Sequence, residues 1–381
     1  MNKSPLEDLI PTPAFLEPLI SVIYYPSNSI SKYLDRPSVN ALLLGLAHVH
    51  KMYYYYGFWG ADITNLMMMN LCRITAVSIN YKDGSIPKDL QEKQLKTRER
   101  AYAIDQVPSF YDYLGYLYYC GGTIAGPFYE YKDFIDFMNR EGHYSNIPST
   151  IIATLERLSI AILFIAVVGF VSDYFPFYFV TTDEFAAMSY GSIASGLSYN
   201  GIDINKRPLF DRVQNIRVWD IEFSYKVHEF FNAWNISVHM WLKHYVFLRM
   251  VKRGERISLK PIITTFAVSA VWHGFYPGYF LFFISSGLND YLFKSAAKIY
   301  VLFEWMPSFL QKFLLFSWSY FQCAYWGMCF VLLDLSNIHK MHSAVHYSLH
   351  FILIGSLLFI RFSGIIPYCK RLEENKIQKS S

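Results

Sequence analysis

Two polar residues lie in strongly apolar, aromatic surroundings: Asn235 in EFFNAWNISVHMWLKHYVFLRM and His273 in TTFAVSAVWHG. Polar side chains at membrane depth are costly, about 2–3 kcal/mol or more when ionised, so they tend to mark functional positions. A buried neutral imidazole takes a proton from an alcohol when its other nitrogen is held by an acceptor. An Asn amide donates to a carbonyl oxygen on which negative charge develops. Together they supply what acyl transfer from a thioester to a hydroxyl needs, without an acyl-enzyme nucleophile. The base is worth about 10²–10⁴-fold and the donor about 10²–10³-fold. Single polar residues also hold membrane helices together, and the spacing by itself does not bring Asn235 to His273.

Read as one helix, residues 234–248 place Trp234, Val238, Trp241, Tyr245 and Leu248 on one stripe, by steps of four and three. Asn232, Asn235, His239 and Lys243 fall on a second. The end turns basic, through Lys243, His244, Arg249, Lys252, Arg253 and Arg256. Such a cluster suits a phosphate-rich partner or anionic headgroups, or is the ordinary positive flank of a membrane helix. Around His273, the residues Thr265, Ser269 and His273 recur at steps of four, with Trp272 and Phe275 beside the imidazole. Candidate substrate-binding residues are Trp234, His239, Trp241, Lys243 and Arg249 on the first segment, and Ser269, Trp272 and Tyr276 on the second.

The elements that must hold these residues are apolar. The 381-residue chain is 53% hydrophobic, 19% aromatic and only 17% charged, against about a quarter charged in soluble domains. Its 31 Tyr and 32 Phe suit segments that meet lipid and headgroups. A mean hydropathy of only +0.19 shows that the spans are interrupted by polar groups, as around an internal cavity. The net charge of +4 is too small and scattered for a nucleic-acid partner. Five isolated cysteines, without a CxxC pair, predict neither a zinc knuckle nor a disulfide scaffold; no metal ligands are assigned.

Residues 1–38 form a polar or interfacial segment broken by Pro11, Pro13, Pro26 and Pro37, with no sustained apolar region of a cleaved leader. Apolar spans are expected at 39–59, 63–79 (with Arg73 facing a cavity or snorkelling), 111–129, 151–170, 175–197, 261–284, 313–333 and 346–367. With about 20 residues per span this makes roughly eight or nine. Gly121, Gly122, Gly126 and Pro127 predict a kinked or broken helix, and Gly274 and Pro277 predict another. A short surface helix is expected to start near Pro87. Residues 39–368 thus read as one all-α polytopic membrane domain, followed by the hydrophilic tail 369–381.

Other classes leave weaker traces. His339, His342, His346 and His350 recur at steps of three and four. They are half of a histidine-box metal site, which would need further boxes on other segments, or a wet helix face. A transporter would also show broken helices and intramembrane polar groups, but no pseudo-repeat is present. A catalytically silent scaffold is a further alternative.

WNISVHMWLKHYVFLR followed by SAVWHGFYPGYFLFF resembles the signature of the membrane-bound O-acyltransferases, closest to their lysophospholipid acyltransferase branch. Similar to that branch too are YGFWGADITNLMMMNLCRITAVSINYKDG, PSFYDYLGYLYYCGGTIAGPFYEYKDF, and SGLSYNGID with NIRVWDIEF. The resemblance covers about residues 45–290 in pieces. By motif position it implies His273 as the catalytic histidine and Asn235 as its asparagine. It also implies acyl-CoA as co-substrate without a further cofactor, a lysophospholipid acceptor, and broken and re-entrant helices around a tunnel in the endoplasmic reticulum membrane. The resemblance departs before YYYYGFWGAD, where members of that family carry more apolar sequence, and one or two opening spans are expected to be missing from this sequence. VHMWL also resembles the sterol and diacylglycerol acyltransferase branch, but FSYKVHEFFNAWN lacks that branch's FYxDWWN-like motif. Another acceptor, a neutral lipid or a protein, is the alternative within the family.

Overall fold

The computed structural model describes residues 37–57, 63–119, 127–171, 197–222, 224, 227–251 and 258–380. These are helical apart from turns, loops and an isolated bridge between Ile202 and Pro208. They fall into two compact units. The glycines at 121, 122 and 126, residues 175–196 of one expected span, and Lys252, Arg253 and Arg256 lie outside the described residues.

The first unit holds residues up to His50, residues 58–215 and residues 236–241. Its elements include α1 (Pro37–Tyr54, up to His50), α2 (Ile63–Gly84), α3 (Lys88–Gln94), α4 (Thr97–Tyr102), α5 (Phe110–Tyr118), α6 (Tyr131–Asn139) and α7 (Ile151–Val171). Pro87 immediately precedes α3, none of whose residues is buried. Tyr116, Tyr129, Phe134 and Leu197 form the core with Val77 and Val213. Buried phenols need partners, and two of them serve each other's segments: Tyr116 donates to the Tyr129 carbonyl at 2.8 Å, and Tyr129 to the Tyr116 carbonyl at 2.9 Å. Arg73 neither snorkels nor lines the polar cavity of this unit. It is fully buried, donates to the Leu117 carbonyl and lies 4.6 Å from the centre of the Tyr129 ring.

The second unit holds residues 51–57, 216–235 and 242–381. It opens with α8 (Val218–Glu222) and α9 (Val227–Ala233); α10 (Ile236–Trp241) belongs to the first unit. A π-helical turn (Leu242–Phe247) then leads into α11 (Leu248–Met250). The single helix expected over 234–248 is therefore broken twice. Asn235 sits at φ 45° between α9 and α10, and the π turn shifts the register beyond Trp241. Asn232, Asn235, His239 and Lys243 consequently do not form one continuous stripe. The pattern of side chains was helical, but a left-handed residue and an i→i+5 turn rotate the residues beyond them onto other faces.

Next comes α12 (Leu259–His273), which ends where Gly274 takes φ 136°, a conformation that favours glycine. The Gly274 N–H returns to the Ala270 carbonyl at 3.0 Å. Pro277 begins α13 (Pro277–Ala296), a position where its missing N–H costs nothing. The expected break at Gly274–Pro277 is thus present. α13 packs between α12 and α14 (Ser308–Leu332). A Cβ on Gly278 would stand 2.1 Å from the Cys329 carbonyl oxygen, so only glycine allows this approach. The Gly278 N–H donates to the Leu333 carbonyl at 2.9 Å and locks the crossing.

α15 (Leu335–Ala344) and α16 (Ser348–Phe362) come after it, bent by 82°, and then α17 (Ile365–Ser380). The four histidines do not lie on one continuous helix face, because His346 and Tyr347 occupy left-handed positions in the turn, but the bend brings the His342 and His350 rings together at 4.7 Å. His342 is buried against Tyr325 at 4.4 Å, and His350 shares a 2.8 Å hydrogen bond with the Tyr325 hydroxyl. Among the described residues no three His, Cys, Asp or Glu side chains stand together as a metal site. Among them, too, no single helix is long and apolar enough to cross a membrane alone; α15 and α16 together pass by length and composition.

Candidate active site

His273 is the last residue of α12, so the chain turn at Gly274 points it toward the start of α13 rather than along a continuing helix face. Four aromatic rings surround it. Phe283 stacks on the imidazole at 5.0 Å and 22°, while Phe330 and Trp272 stand edge-on at 5.1 and 4.7 Å. Tyr279 is 5.6 Å away. Phe283 and Phe330 carry no sequence signal of their own in an aromatic-rich chain. The i+6 spacing from His273 across a helix break hid Tyr279, and Phe330 comes from α14.

Asn235 belongs to the same unit. It is half-buried in the turn after α9, whose Phe231 touches Phe266 of α12 at 5.6 Å and Phe282 of α13 at 6.2 Å. Phe282 in turn lies 5.3 Å from Phe330. One aromatic cluster therefore supports both the helix leading into Asn235 and the ring around His273. The left-handed φ of Asn235 is uncommon outside glycine, although Asn tolerates it better than most residues. Trp234 stacks on Phe230 at 6.1 Å and 8°.

The other candidate residues are distributed. Ser269 and Trp272 are buried on α12, and Thr265 donates to the Pro261 carbonyl at 2.7 Å, within its own helix. Tyr276 is buried, its hydroxyl accepts the Gly57 N–H at 3.2 Å, and its ring meets Tyr56 at 5.0 Å. Lys243 is exposed and Arg249 half-buried in the same unit. His239 and Trp241 lie on α10 in the first unit. Trp241 is buried, and its indole N–H donates to Thr75 Oγ1 at 2.9 Å.

Asn215, which sequence reading missed, holds the start of α10. Its backbone carbonyl accepts the Ile236 N–H at 2.8 Å, and its Oδ1 accepts both the N–H and the hydroxyl of Ser237, at 3.1 and 2.7 Å. The NIRVWDIEF stretch that begins with it was the available signal.

The first unit also contains a cavity of about 290 Å³ lined by Arg98, Tyr102, Glu130, Asp133, Arg212 and Ser237 among others. Four of its charged groups form two pairs, Arg98 with Glu130 at 3.0 Å and Arg212 with Asp133 at 2.8 Å, while Asp211 accepts from the Asn200 amide at 2.9 Å. Burial raises the Asp133 pKa even against Arg212, and burial together with Asp133 pushes the Tyr102 phenol up to about 12.

Residues 48–190 and 178–333 match the pattern of MBOAT, the membrane-bound O-acyltransferase family. The second stretch contains both Asn235 and His273. The chain is 27% identical to lysophospholipid acyltransferase 1 of Arabidopsis thaliana, over 93% of its own length and 83% of that protein. It is 29% identical to the lysophospholipid acyltransferase of Schizosaccharomyces pombe, over 62% of its own length and 53% of the relative. To the membrane-bound glycerophospholipid O-acyltransferase 2 of Homo sapiens it is 28% identical, over 83% and 68%.

Proposed function

Because the chain belongs to the membrane-bound O-acyltransferase family, we propose that it moves an acyl chain from acyl-CoA to the free hydroxyl of a lysophospholipid. The reading rests on one observation above others. His273 ends its helix inside an aromatic ring, in the segment that the family pattern covers. The names of the plant and yeast relatives support the acceptor class, and phospholipid remodelling at the endoplasmic reticulum membrane is the setting.

One nitrogen of His273 takes the proton of the acceptor hydroxyl as its oxygen attacks the thioester carbonyl carbon. Asn235 donates its side-chain N–H to the carbonyl oxygen, where charge accumulates. The tetrahedral carbon collapses, the C–S bond breaks, and the imidazolium returns the proton to the departing sulfur. The products are a phospholipid ester and free CoA. Phe283, Phe330 and Trp272 keep bulk water from competing with the acceptor. Lys243 and Arg249 supply positive charge for the CoA phosphates.

Microsomes containing the protein are expected to transfer acyl groups from acyl-CoA to a panel of lysophospholipids. His273→Ala should lower turnover by about 10²–10⁴-fold at unchanged expression, and Asn235→Ala by about 10²–10³-fold. Near-normal turnover in His273→Ala removes the proposed base. A change in KM alone for Asn235→Ala removes the proposed donor. Transfer to a neutral lipid or a peptide instead of the panel would replace the acceptor class.

A further inference from the structure

The packed helices α13 and α14 each carry buried polar side chains beyond the aromatic ring. Asn289 and Asp290 of α13 are 4% and 6% exposed, and Ser319 and Gln322 of α14 are 1% and 2% exposed. The helices run antiparallel, as the Gly278 to Leu333 hydrogen bond and the Phe283–Phe330 contact show. Extending that register along both helices brings Asn289 and Asp290 to the level of Ser319 and Gln322. Each of the four has a buried atom without a hydrogen-bond partner among the described residues: Asn289 Oδ1, Asp290 Oδ1, Ser319 Oγ and Gln322 Nε2.

Neighbouring bonds fix the chemical sense of these atoms. Gln322 Oε1 accepts the Trp326 indole N–H at 2.7 Å, so its Nε2 is left as the donor. Asn289 Nδ2 donates to the Ser285 carbonyl at 2.9 Å, which leaves its Oδ1 as an acceptor. Asp290 receives Lys294 on Oδ2 at 2.5 Å, with Oδ1 left over. A species serving this set must donate to two oxygens and accept from an amide N–H. A metal cation cannot accept from Gln322, and an anion cannot donate to Asn289 or Asp290. Water does both, and buried water needs two to four such partners.

We propose that these four side chains form one polar seam and an internal hydration site, holding water between α13 and α14. The route in is at Lys294, whose side chain is 49% exposed while that of its partner Asp290 is 9% exposed. Toward His273 the seam is closed by apolar rings, because Phe283 and Phe330 stand between the polar level and the imidazole. A wet polar layer and a dry catalytic layer thus occupy successive turns of the same helix pair.

The sign of a stability change tests this. If the seam is hydrated, Ser319→Ala deletes a partner of bound water and lowers the midpoint of thermal unfolding of the detergent-solubilised chain, by at least about 2 °C. If it is dry, the same change removes an unsatisfied buried hydroxyl, and the midpoint holds or rises; that result overturns the proposal. Radiolytic labelling in ¹⁸O-water gives a second reading, independent of enzyme activity. Trp326, bonded to Gln322, should incorporate label well above the equally buried Phe283. Equal labelling of the two rings also counts against water in the seam.

Discussion

The two compact units treat buried polarity in opposite ways. In the first, charged groups come with partners inside the protein: Glu130 takes Arg98 and Asn80, and Asp133 takes Arg212 and Tyr102. In the second, aromatic rings and close helix contacts supply the packing, and buried polar atoms on α13 and α14 are left without a partner among the described residues. An ion-paired cluster fixes geometry through charge and fails when one member is lost. A ring-and-glycine packing fixes geometry through shape and fails when volume is added. The proposed chemistry sits in the second kind of surrounding, where aromatic rings enclose His273.

Substitutions can sharpen or break this contrast. The largest stability effect is expected from Arg212→Leu, which leaves the half-buried Asp133 carboxylate without its cation, at a cost of about 3 kcal/mol, the low end for a buried pair. Asp133→Asn should cost clearly less, because burial already disfavours the charged form of Asp133. Equal losses in thermal unfolding would mean that the pair is not held by charge. Gly278→Ala comes next. Its methyl group meets backbone at 2.1 Å and must push α13 from α14, an overpacking cost of about 1–3 kcal/mol or more. Turnover should fall with it, since Pro277 and Gly278 come directly after the turn that aims His273. A stable, fully active Gly278→Ala would show that the crossing does not depend on shape. The smallest change is Tyr276→Phe, which removes one acceptor for the Gly57 N–H, worth about 0.5–1.5 kcal/mol. A larger loss, or one in turnover alone, would give that hydroxyl a role beyond packing.

Much of this was legible in the chain. The apolar runs over 39–59, 63–79, 151–170 and 313–333 contain or overlap helices. Gly274 and Pro277 carried their own conformational meaning and placed the break correctly. The stripes over 232–248 were misleading, because a 3.6-residue period assumes unbroken winding. Neither the left-handed Asn235 nor the π turn leaves a mark in residue types. The histidine spacing over 339–350 misled for the same reason, since a turn at His346 and Tyr347 lies inside it. Arg73 was ambiguous for a different one: its acceptor and its aromatic ring come from residues 44 and 56 positions away.

By itself the sequence determined the helical class, the placement of Asn235 and His273 in apolar segments, and the chemistry those side chains are able to perform. Motif spacing also carried the family, because local patterns survive without knowledge of the fold. Only the tertiary structure decided which rings enclose His273, since Phe330 reaches it from a helix 57 positions further along the chain. It also decided that amides and a hydroxyl on α13 and α14 are buried. Burial and partnership are properties of long-range packing, and a residue's type states only what it is able to offer when that packing is made.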